Sequence, residues 1–111
     1  MPSYVLCRVD QLIEGRGRPA RAAGKYLAVF LFGGEIHVLD NLCLHVGSPI
    51  DGGPVRDGLV HCPWHGWAYR LADGSLVTAV GDRPGLRTYD HRVTDAGEVE
   101  VNLEDETPVG Q

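Results

Sequence analysis

Four residues combine metal-ligand chemistry with close spacing. Cys43 and His45 lie in Asn41-Leu42-Cys43-Leu44-His45-Val46-Gly47-Ser48-Pro49, and Cys62 and His65 in His61-Cys62-Pro63-Trp64-His65-Gly66-Trp67. Each segment offers one thiolate and one imidazole a residue or two apart, with a glycine close behind. Thiolate sulfur and imidazole nitrogen both suit iron, zinc and copper, so the ligand types alone leave the metal open. The spacing is more selective: Cys-x-His, sixteen intervening residues, then Cys-x2-His. Zinc motifs usually pair like with like, as Cys-x2-Cys or His-x3-His. The remaining cysteine, Cys7, stands alone in a β-prone run and reads as a small, buried, reduced side chain. His37, His61 and His91 fall in strand-like segments and read as structural or surface histidines.

Two ligand-bearing loops need a scaffold to hold them. Gly and Pro are dense, 15 and 7 among 111 residues, and no segment keeps a helical apolar period for three turns, so short strands joined by turns are expected. The chain therefore reads as all-β, a small antiparallel sandwich or barrel. Strands are expected over residues 4–9, 26–32, 35–39, 59–61, 68–71, 76–79, 86–93 and 98–103. Gly33-Gly34 is a two-residue hairpin signal between the second and third of these. Asp57-Gly58, Asp73-Gly74, Arg83-Pro84-Gly85 and Asp95-Ala96-Gly97 mark further turns, and Asp51-Gly52-Gly53-Pro54 reads as a plain turn. Residues 10–25 are expected to form a loop, with a helical turn at Gln11-Leu12-Ile13 capped by Asp10. The length suits one domain over residues 1–111, with the ligand loops in a subdomain of approximately residues 41–70 and an acidic, frayed tail over 104–111.

Charge and hydropathy exclude several function classes. The formal net charge is −5, which argues against nucleic acid, whose binding rests on clustered Lys and Arg. No apolar run approaches the roughly eighteen residues of a membrane span. The N-terminus carries no secretory pattern, so a cytoplasmic location is expected. Residues 1–26 hold five basic and two acidic groups, whereas residues 27–111 hold five and thirteen. The acidic bulk reads first as a solubilising surface and second as a means of steering a basic partner.

The two segments closely resemble the signature of Rieske iron-sulfur proteins. Cys62-Pro63-Trp64-His65-Gly66-Trp67 is similar to their second box, and His45-Val46-Gly47-Ser48-Pro49-Ile50 to the end of the first. The resemblance runs from the first strand to Val99-Glu100-Val101. It implies a Rieske-type fold and a Rieske 2Fe-2S cluster, with Cys43 and Cys62 on one iron and His45 and His65 on the other. Gly47 and Gly66 would let backbone approach the cluster, and Pro49 and Pro63 would stiffen the loops. The high-potential members carry an extra cysteine after each box, and Ser48 and Trp64 occupy those positions here. They also carry a serine where this chain has Trp67, while Tyr69 matches their tyrosine position. Fewer donors to the cluster imply a potential near the low end of the Rieske range, on the order of −150 mV.

The resemblance also implies what such a chain does. A Rieske cluster has no open iron position, so no catalysis is expected. Oxygenases join a similar domain to a second one with a mononuclear iron, and 111 residues leave no room for it. The expected role is a Rieske ferredoxin that carries single electrons from an NAD(P)H-dependent flavoprotein reductase to a terminal oxygenase. The alternative is a small Rieske subunit of an NADH-dependent nitrite reductase or another multi-subunit redox enzyme.

Overall fold

Lys25–Phe32 organises the molecule because its alternate side chains enter two different cores. In this computed structural model, which describes residues 3–42, 49–62, 67–77 and 85–103, the chain forms ten strands among the described residues. They are β1 (Ser3–Arg8), β2 (Arg16–Ala22), β3 (Lys25–Phe32), β4 (Glu35–Asp40), β5 (Val55–Arg56), β6 (Leu59–His61), β7 (Ala68–Arg70), β8 (Thr88–Tyr89), β9 (His91–Val93) and β10 (Glu98–Asn102). They pair in three antiparallel sheets, in the orders β1-β10-β9, β2-β3-β4-β8 and β5-β6-β7. Successive strand residues point to opposite faces. Leu27 and Val29 of β3 therefore pack with Cys7, Val38, Val99 and Val101, against the sheet of β1, β10 and β9. Ala28 and Phe30 pack the other way, with Val60, Cys62 and Tyr69 of the β5-β6-β7 sheet. The four-stranded sheet is thus the middle layer, and the three-stranded sheet bearing Cys62 covers one of its faces.

The all-β reading holds, as does the expected Gly33-Gly34 hairpin. Both glycines have positive φ, 63° and 78°, with Phe32 paired to Glu35, which makes the type I′ turn that matches strand twist. Two more turns of this kind join β2 to β3 through Ala23-Gly24 and β5 to β6 through Asp57-Gly58. The side chain of Glu14 grips the first hairpin, accepting the N–H groups of Gly33 and Gly34 at 2.6 and 3.3 Å.

Three expectations need correction. Residues 10–25 are not a loop, because Arg16–Ala22 pairs along its whole length with β3. Its sequence, RGRPARA, lacks an apolar alternation, and it is a strand because the apolar β3 supplies a template. Pro19 is tolerated there because β2 is a sheet edge, where a missing donor breaks no ladder. The short helical turn is 3-10 and covers Val9–Gln11. Asp10 lies inside it, and the Gln11 side chain accepts the Arg8 N–H at 2.8 Å. Lastly, residues 86–93 do not form one strand. Thr88–Tyr89 pairs in the middle sheet and His91–Val93 in the outer one, so the chain changes layer at Asp90. Of residues 76–79, Leu76 bridges to Tyr69, and the segment from 78 onward lies outside the described residues, as do Arg83, Pro84 and the 104–111 tail.

His37 and His91 line one shallow depression with Thr88 and Asp90. Burial, and then the neighbouring His37, hold His91 below its ordinary value of 6.5, with Asp90 opposing. The native state therefore resists protonation at this site. Its stability contribution is present above 6.5 and is lost as pH falls below that value toward and through the lower native pKa. His91→Gln is expected to flatten this acid limb, seen as a smaller gap between urea midpoints at neutral and mildly acidic pH. An unchanged gap would count against the assignment.

Candidate metal centre

Each ligand-bearing segment grows from a stem that is closed by hydrogen bonds. Asn41 follows β4 and is the buried polar residue among those described, 7% exposed. Its backbone N–H donates to the Tyr26 carbonyl at 3.0 Å, which ties it to the middle sheet. Its side-chain Oδ1 accepts the N–H groups of Ile50 and Asp51 at 2.7 and 3.0 Å, and its Nδ2 donates to Asp51 Oδ1 at 2.8 Å. One amide thus joins the two ends of the segment that contains Cys43 and His45. The second stem closes more directly: the Cys62 N–H donates to the Trp67 carbonyl at 2.7 Å.

The stems also touch each other. The His61 N–H donates to the Pro54 carbonyl at 2.9 Å. A Cβ on Gly53 would lie 1.9 Å from the His61 carbonyl oxygen, far inside contact distance, so the approach needs glycine. Gly17 of β2 is similarly required, since a Cβ there would meet Phe30 at 2.5 Å and the Asp51 carbonyl at 2.6 Å. The first segment's exit is therefore wedged between the edge of the middle sheet and β6, the strand that leads into Cys62.

Cys62 is 2% exposed, in a core with Leu39, Ile50, Val60, Tyr69 and Leu71. Tyr69 is fully buried in that same core, and Trp67 packs on it half-buried. Cys43, His45 and His65 lie outside the described residues, as do Gly47, Gly66, Ser48, Pro63 and Trp64. Cys7 occupies the opposite core at 6% exposure, where burial pushes its thiol pKa up and the Arg18 charge opposes the shift. It is a free cysteine, as a buried structural residue should be. His37, His61 and His91 join no metal-binding group among the described residues.

Of the four expected donors Cys62 alone is described, and its setting suits an iron-sulfur group: a soft thiol in an apolar core, just past a strand whose stem is hydrogen-bonded and braced by the neighbouring stem. Sequence reading missed two supports, Asn41 and Gly53. Neither has a local signature: Asn41 is one polar residue beyond a strand and Gly53 one glycine of a turn-forming run, so the folded contacts alone reveal them.

Removing the Asn41 side chain should be costly. Asn41→Ala orphans two backbone donors, one of them buried, at about 3 kcal/mol in total. Thermal unfolding should then begin more than about 10 °C lower, at the several degrees per kcal/mol usual for a domain of this size. A melting temperature within a few degrees of wild type would show that the amide carries little.

Residues 2–90 match the family of the Rieske [2Fe-2S] domain, and the chain belongs to that family. Its cofactor is accordingly a Rieske-type iron-sulfur cluster. The anthranilate 1,2-dioxygenase ferredoxin subunit of Burkholderia cepacia is 34% identical over 100 residues, which is 90% of this chain and 91% of that subunit. The Sphingomonas yanoikuyae B1 ferredoxin superposes with a TM-score of 0.83 at 27% identity, covering 93% of this chain and 100% of the other. A Mycobacterium tuberculosis chain assigned as an NADH-dependent nitrite reductase small subunit gives 0.80 at 29% identity, covering 90% and 93%. Apoptosis-inducing factor 3 of mouse and human is 33% identical over 81 residues, 73% of this chain, but the chain spans only 13% of the length of those proteins. The domain thus occurs both nearly alone and as a small part of larger proteins.

Proposed function

We propose that this chain is a Rieske ferredoxin, a non-catalytic cytoplasmic carrier that takes single electrons from an NAD(P)H-dependent flavoprotein reductase and delivers them to a terminal oxygenase. In this reading Cys43 and Cys62 hold one iron, and His45 and His65 hold the other. The observation that carries it is the likeness to a dioxygenase ferredoxin subunit over nine-tenths of both chains, since that relative is little more than this domain. When bound, the cluster accepts and releases one electron at a time. The chain's own residues hold the stems rigid through Asn41 and the Cys62–Trp67 bond and keep water from the Cys62 side through Ile50, Val60, Leu71 and Tyr69. Fixed ligand positions suit a carrier, because little must rearrange when charge arrives. A shuttle also needs a small, transient interface.

The second reading, a small subunit of an NADH-dependent nitrite reductase, is favoured by the Mycobacterium tuberculosis likeness. Reconstitution separates the two. Turnover of an oxygenase on adding this protein and a reductase is the expected result. Stable co-purification with a large sirohaem subunit, without such turnover, would replace the ferredoxin reading with the subunit one.

A further inference from the structure

Where the first stem leaves the middle sheet, apolar side chains stay in water. Tyr26 is 60% and Leu42 42% exposed, and Pro49 is exposed as well. With Lys25, Asp40 and Asn41 they line a groove of about 430 Å³. The Tyr26 carbonyl accepts the Asn41 N–H, so the start of β3 lies beside the residue pair that precedes Cys43. Leu42 and Pro49 then bracket the segment that holds Cys43 and His45.

The rim gives the chemistry of a cover. Arg21 stands opposite Tyr26 across the β2–β3 pair, donates from Nη2 to the Tyr26 hydroxyl at 3.0 Å and lies 4.5 Å above its ring. The ring is thereby held upright beside the groove, with a guanidinium on it. Lys25 adds a second cation. Asp40 is the acidic lining residue; its carboxylate accepts the Tyr89 hydroxyl at 2.5 Å and keeps its negative charge, so Arg21 and Lys25 together leave this rim positive by about one charge. Asn41 spends its side chain on Ile50 and Asp51. On a chain of net charge −5, a cationic rim beside the ligand loop opposes the repulsion of acidic surfaces at this spot and so orients an acidic partner.

We propose that this groove is the seat of the protein electron acceptor, which inserts an apolar side chain between Tyr26, Leu42 and Pro49 and sets carboxylates against Arg21 and Lys25. The inference rests on the carrier reading and deepens it by naming the face and charge of the partner. A partner seated here contacts chain directly adjoining two of the proposed ligands, which keeps the electron's path short.

The test follows oxidation of the reduced, cluster-loaded full chain by stopped flow. The acceptors are ferricyanide, hexaammineruthenium(III) and the oxygenase that turns over in the reconstitution. EPR spectrum and potential serve as controls for an intact cluster. In Arg21→Glu/Lys25→Glu, the ratio of the ferricyanide to the ruthenium rate is expected to fall about tenfold at low salt, and the difference should shrink at high salt. In Tyr26→Ser, the half-saturating oxygenase concentration should rise at least about fivefold, as for loss of an aromatic anchor. A rate ratio that does not respond to charge reversal, or an unchanged half-saturation in Tyr26→Ser, overturns the assignment. If the wild-type chain reduces no oxygenase, the acceptor reading fails on its own, and the rate ratio still judges whether the cations flank the electron's exit.

Discussion

Cys62→Ala is expected to yield a folded protein that holds less than about a tenth of the wild-type iron and sulfide, whereas Cys7→Ala stays fully loaded. The two residues make a matched pair. Both are buried cysteines in apolar cores, 2% and 6% exposed, so truncating either leaves a cavity of similar size and costs about 1–2 kcal/mol. Their surroundings differ. Cys7 sits in mid-strand between the outer and middle sheets. Cys62 directly follows β6 at a closed stem, braced by the exit of the Cys43 segment. Visible absorbance with iron and sulfide analysis reads the outcome, and far-UV circular dichroism checks folding. A folded Cys62→Ala protein with its full complement of iron would remove Cys62 from the ligand set.

The second large effect concerns the histidines. Exchanging both, in His45→Cys/His65→Cys, is expected to lower the reduction potential by on the order of 250 mV, from the low end of the Rieske range to that of all-cysteine clusters. Each thiolate puts a negative charge where a neutral imidazole stood, and accepting an electron becomes harder with every such charge. Each single exchange should shift the potential in the same direction by a smaller amount. Spectroelectrochemistry gives the potential, and low-temperature EPR of the reduced protein should change from the mixed-ligand to the all-thiolate type. Unchanged spectra and potential in the double variant would mean that other residues hold the second iron.

The chemistry was legible because it is local. Two Cys-His pairs at fixed spacing carry the family resemblance whatever the fold, and the family match over residues 2–90 agrees with it. The all-β class and the Gly33-Gly34 hairpin were legible for the same reason, since turn residues and strand propensity act over a few neighbours. Tertiary structure decided the rest. Arg16–Ala22 is a strand because β3 lies beside it. The 88–93 region divides between two sheets because the layers are separate bodies that one chain must join. Asn41 and Gly53 matter because residues eight to ten positions apart meet there, through one buried amide and one missing Cβ. Family membership follows from side-chain types at short spacing, whereas the closed stems and the groove at Tyr26 and Leu42 are properties of what the folded layers bring into contact, and no single stretch of sequence contains them.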